Sequence, residues 1–201
     1  MLQVWKIRKL TKLSNFFKKT NGALIVLISA FALTFTPEGT EIINTVIMLS
    51  VPVVLCLPRL FKWLTGLKTD PFFEFIYIIY VLFAQVLSGM FALYSTTALY
   101  DKAMHLLSGL LSAAFALVLL RTFSLENARK IFQVIFFISL TLCIAVFWEF
   151  FEFFGDTLFH RNAQRVQTGV TDTMLDMLCA LFGAIVYSLS YVICKKRANS
   201  A

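Results

Sequence analysis

Charge is scarce in this chain. Asp, Glu, Lys and Arg make up 14% of its 201 residues, against 59% hydrophobic, where a soluble domain averages about 25% charged and about 45–50% apolar. The apolar excess comes as long uninterrupted runs, which excludes a soluble globular fold and identifies a polytopic membrane protein. Cysteine is also rare. Cys56, Cys143, Cys179 and Cys194 each fall inside an apolar run or at its end, and no Cys-x-x-Cys pair occurs. A disulfide framework is therefore not expected, and the thiols read as small buried hydrophobes. There is no repeat, no low-complexity stretch and no soluble linker, so 1–201 reads as a single integral-membrane domain without a separate soluble part. The net charge of +7 does not imply nucleic acid, because the basic residues lie in short patches flanking apolar runs, where they act as topology signals.

Six apolar runs approach the ~20 residues that cross a bilayer core: 21–36, 41–61, 72–94, 102–120, 131–154 and 173–194. The expected fold is an all-α bundle of six transmembrane helices. Pro52 and Pro58 are expected to kink the second helix or end it early. Residues 1–20 are basic, with Trp5, Leu10, Leu13 and Phe16 interspersed, which suits an interfacial segment. Lys and Arg concentrate in the N-terminal segment, in the loops after spans two and four, and in the tail with Lys195, Lys196 and Arg197. The positive-inside rule then places both termini in the cytoplasm. Glu74, near the cytoplasmic end of span three, reads as a snorkelling or paired residue.

Acidic residues are fewer still, and six of the eleven fall at the opposite, outer ends of spans four to six: Asp101, Glu149, Glu152, Asp156, Asp172 and Asp176. Span four opens on Asp101-Lys102-Ala103-Met104-His105, with Asp101 and His105 one turn apart on a shared face. Ser108, Gly109 and Ser112 follow roughly along that face, and small residues permit close helix approach. Span five ends with Glu149, Glu152 and Asp156 at i, i+3 and i+7 among aromatics. Span six opens with Asp172 and Asp176 at i and i+4, continued by Cys179, Ala180 and Gly183. At 1.5 Å per residue, His105, Glu149 and Asp176 each sit roughly 5–8 Å inside their helix ends. Three stripes at one level predict an outward-facing acidic pocket.

Carboxylates at membrane depth are costly and are functional candidates by default. Several close together need shared protons, partner cations or a metal, and Lys102, Arg161 and Arg165 could supply part of the compensation. Oxygen ligands with one imidazole suit a divalent metal: Mn²⁺, Fe²⁺, Zn²⁺ or Mg²⁺. The expected metal residues are His105, Glu149, Glu152, Asp172 and Asp176, with Asp101 or Glu152 as the base and Lys102, Arg161 and Arg165 toward an anionic headgroup. The expected partners are membrane lipids. Metal-dependent hydrolysis or modification of an envelope lipid is one reading. A non-enzymatic binder or transporter of a cation or amphiphile, and a cluster that is structural only, stay open beside it.

The ordered segments Asp101-Lys102-x-x-His105-x-x-Ser108-Gly109, Trp148-Glu149-x-x-Glu152, Asn162-x-Gln164 and Gly169-x-x-Asp172-Thr173-Met174-x-Asp176, followed by Gly183-Ala184, resemble the YjdF-like family of bacterial inner-membrane proteins. More distantly they resemble VanZ-like proteins. The resemblance covers residues 94–187 and implies a multi-pass protein of the bacterial inner membrane. It brings no established activity from the YjdF-like side. VanZ-like proteins are associated with resistance to glycopeptide antibiotics of the teicoplanin type, but this chain carries Asp176 where that group commonly has Asn.

Overall fold

A computed structural model of the chain describes residues 2–34, 42–97, 99–159, 163 and 169–199. Its elements in order are α1 (Leu2–Thr34), α2 (Ile42–Thr65), α3 (Pro71–Val81), a π-helical continuation (Leu82–Leu87), α4 (Ser88–Phe91), α5 (Leu93–Thr96), α6 (Tyr100–Thr122), α7 (Lys130–Phe159) and α8 (Gly169–Asn199). No strand occurs among the described residues. Among the described residues, six stretches are long and apolar enough to cross a membrane: Leu10–Thr34, Thr45–Thr65, Pro71–Phe91, Tyr100–Thr122, Lys130–Phe159 and Gly169–Arg197. Helix is the physical consequence of such composition, because backbone groups in hydrocarbon must be satisfied within the segment. The chain divides into two compact units, 1–96 and 97–201.

In the first unit α1 packs against α2 and α3. Ile25, Ile28 and Ala32 of α1 meet Met48, Val51 and Leu55 of α2 and Ile78 and Val81 of α3. The basic N-terminal segment is helical and continuous with the first span in α1. Phe17 packs against Phe72 and Phe75, with ring centroids 5.4 and 5.3 Å away. α3 opens on a built cap: Asp70 accepts from the backbone N–H of Phe73 at 2.8 Å, and Pro71 occupies the first turn, where its missing N–H costs nothing. Glu74 is paired, as expected for a carboxylate at that depth. It binds Arg59 and accepts from Asn21 Nδ2 at 3.1 Å.

α2 continues through both prolines to Thr65 and does not end early. Pro58 has no N–H to offer the Val54 carbonyl one turn back. The Tyr77 hydroxyl of α3 donates to that carbonyl at 2.8 Å, so a neighbouring helix restores the bond that proline removes. Tyr77→Phe leaves the carbonyl unsatisfied, at an expected cost of about 1–2 kcal/mol. Thermal unfolding of the detergent-purified protein checks this; an unchanged midpoint would show that the hydroxyl does not compensate for Pro58.

The second unit is a three-helix bundle of α6, α7 and α8, in which α6 and α8 share the most extensive contact. Ala113, Ala116, Leu117 and Leu120 of α6, Phe137 of α7 and Ala184 of α8 form its core. Phe137 stands edge-on to Tyr187 and Tyr191, at 5.7 and 5.3 Å between centroids. Two glycines set the α6–α8 distance. A Cβ on Gly109 would lie 2.7 Å from the Ala180 carbonyl carbon, and one on Gly183 would lie 2.9 Å from the Leu110 nitrogen. The two helices therefore touch backbone to backbone, the approach that small residues permit. All four cysteines are free. Cys56, Cys143 and Cys194 are exposed on helix surfaces and not buried in the bundle, because an apolar span keeps a thiol out of water on its outer face as well as its inner one.

Candidate functional site

The site is built at the end of the second unit where α6 and α8 begin and α7 finishes. Asp101 lies in the first turn of α6 and Asp172 in the first turn of α8. Unpaired backbone N–H groups and the positive end of the helix dipole favour carboxylates there. One turn further in, on the same faces, come His105 and Asp176. Asp172, Asp176 and His105 are buried, and Asp176 is only 1% exposed. The close α6–α8 approach at Gly109 and Gly183 brings the two stripes together.

Lys102 is the hub of this contact. Its ammonium donates to Asp172 Oδ1 at 2.7 Å, to Asp176 Oδ1 at 2.7 Å and to Asp101 Oδ2 at 3.3 Å. Compensation of the carboxylates by Lys102 was legible in its position. That it joins all three aspartates, two of them across helices, was not.

His105 completes the arrangement. Its Nε2 lies 3.5 Å from Asp101 Oδ1 and 3.6 Å from Asp176 Oδ1, longer than the 2.7–3.2 Å of a good N–H···O bond. The ligand-capable atoms of Asp101, His105 and Asp176 all lie within 4.8 Å of one another. Ligands bound about 2.1 Å from a tetrahedral metal stand roughly 3.4 Å apart. The two histidine distances match that edge, and the third separation lies within 4.8 Å, so side-chain rotation that closes it would let the three residues hold one cation. Two oxygens and one imidazole would leave a fourth position for water, the three-ligand count of a catalytic zinc site, with the oxygen-rich donors that also suit Mn²⁺ or Fe²⁺.

α7 contributes from the side. Glu149 is buried. Glu152 accepts from the Trp148 indole N–H at 2.7 Å and lies within electrostatic range of Glu149, His105 and Asp101. Neither joins the three-residue ligand set. The Trp148–Glu152 pair was missed in the sequence, although its i,i+4 spacing is a readable signal. Asp156 accepts from the backbone N–H of Ala163 at 2.8 Å. Cys179, one turn beyond Asp176, lies within electrostatic range of Asp176, Lys102 and Asp101. Arg161 and Arg165 lie outside the described residues.

Of the expected site, then, the structure brings Asp101, Lys102, His105, Asp172 and Asp176 into direct contact and sets Glu152 nearby. Lys102, expected to face an anionic headgroup, is engaged by aspartates. Asp172, expected as a ligand, reaches the cluster through Lys102.

Comparison with known proteins fits this membrane architecture. Residues 20–197 match the model of the family described as "Predicted membrane protein (DUF2238)", and the chain belongs to that family. No curated protein and no solved structure matches it.

Proposed function

We propose that this membrane protein binds a divalent metal at Asp101, His105 and Asp176 and uses it to hydrolyse or modify an amphiphilic envelope lipid. The observation that carries the reading is the convergence of an imidazole nitrogen and two carboxylate oxygens, from two helices, within 4.8 Å at the end of an apolar bundle. A metal there would polarise a phosphoryl or acyl oxygen and lower the pKa of a bound water. Glu152, close to His105 but outside the ligand set, is suited to act as the base. In the proposed setting, a bacterial inner membrane with both termini cytoplasmic, the cluster faces outward, where Arg161 and Arg165 could meet an anionic headgroup. The YjdF-like resemblance supports that setting.

Elemental mass spectrometry of the detergent-purified protein tests the metal. Near-stoichiometric Mn, Fe or Zn is expected in the wild type and its loss in His105→Ala. Absence of metal from both, after purification in buffers containing Mn²⁺, Zn²⁺ and Fe²⁺, would count against a stable transition-metal site.

One observation favours a second, structural reading. The Lys102 bridges to Asp172 and Asp176 tie α6 to α8 by themselves. On that reading Asp176→Asn would reduce thermal stability while cation binding stays unchanged.

A further inference from the structure

We infer that the Lys102 ammonium is a tethered competitor for the cation site, which a divalent metal displaces from Asp176 when it binds. The inference rests on the metal reading of Asp101, His105 and Asp176. Its basis is one shared atom. Asp176 Oδ1 accepts from Lys102 Nζ at 2.7 Å and is also the oxygen 3.6 Å from His105 Nε2. A metal bound to that oxygen at about 2.1 Å would stand within about 5 Å of the ammonium. A dication and an ammonium this close inside an apolar bundle repel strongly.

The other two aspartates are arranged differently. Asp101 turns Oδ2 to Lys102 and Oδ1 to His105, so it can serve lysine and metal at once. Asp172 meets Lys102 at 2.7 Å and stands outside the three-residue ligand set. A lysine leaving Asp176 therefore keeps a carboxylate at the mouth of the same site.

Two properties follow. Without metal, the buried Asp176 still has a counter-ion, so the fold does not depend on loading. Monovalent ions gain little by replacing an ammonium already bonded to three carboxylates, so the lysine biases the site toward divalent metals.

The test is a Mn²⁺ titration of the purified full-length protein. Free Mn²⁺ is followed by electron paramagnetic resonance, and thermal unfolding is measured alongside. Lys102→Met is expected to bind Mn²⁺ at least tenfold more tightly than the wild type. Its metal-free midpoint should be lower, and Mn²⁺ should raise it by more than it raises the wild type, because binding to the folded state alone stabilises it. Lys102→Arg is expected to bind at least tenfold more weakly, since a guanidinium stays charged and grips carboxylates through two bonds. The arginine variant decides the matter if the methionine variant does not fold. Equal affinity in the wild type and the lysine variants, with binding abolished by His105→Ala, would overturn the competitor role and leave the metal site standing. Absence of Mn²⁺ binding from every variant, with no zinc retained by any of them in elemental mass spectrometry, would overturn the metal reading and this inference together.

Discussion

Gly109→Val is expected to lower stability by about 3 kcal/mol or more, at the upper end of what overpacking costs in a close-packed interior. Most overpacked sites relax by moving a side chain. Here the atoms in the way are backbone: the first added carbon would meet the Ala180 carbonyl group, lying 2.7 Å from its carbon and 2.8 Å from the Ala180 Cα. α8 can yield only by moving as a body. Such a shift would carry Asp172 and Asp176 away from Lys102, which holds each at 2.7 Å, so steric and electrostatic losses occur together. Gly22 in α1 is the control, because a Cβ there has nothing within 4 Å. Gly22→Ala should be neutral or stabilising by up to about 1 kcal/mol. Size-exclusion profiles and thermal midpoints in detergent compare the two. A Gly109→Val midpoint equal to wild type would show that α6 and α8 do not touch backbone to backbone, and the cluster geometry would lose its support.

The helices were legible because a bilayer sets their length, and each apolar run was found. Their ends were less so. α7 continues through Gly155 and Asp156 to Phe159, and α8 begins at Gly169, before its apolar run. Hydropathy reports where the chain becomes polar, whereas helical hydrogen bonding can continue beyond that point. The passage of α2 through Pro58 was not legible, because the Tyr77 hydroxyl that bonds the Val54 carbonyl comes from another helix. The same divide runs through the site. Asp101 with His105, and Asp172 with Asp176, declare a shared face by spacing alone. Which face meets which depends on helix rotation, and that is set by where Gly109 and Gly183 let α6 and α8 touch. Glu149 and Glu152 had equally good spacing, yet they stand outside the three-residue ligand set.

Lys102→Ala is the second large effect. It removes the lysine that bonds Asp101, Asp172 and Asp176, and breaking a buried ion pair from one side typically costs about 3–5 kcal/mol because the remaining charge is left uncompensated. Among the described residues, three carboxylates would then face one another with His105 beside them. The sign of a second substitution separates electrostatics from packing. If the loss is charge repulsion, adding Asp172→Asn to Lys102→Ala should recover about 1–2 kcal/mol, although Asp172→Asn alone, by weakening a 2.7 Å bridge, should cost about 1 kcal/mol. The two changes are then strongly non-additive, as expected for residues in one network. If Lys102 acts mainly by packing its stem between α6 and α8, the double variant should be no more stable than Lys102→Ala. The four thermal midpoints of this cycle, measured without added metal, decide between them. Recovery in the double variant would establish the cluster as an over-acidic site held together by one lysine, the state in which a dication has most to gain by entering.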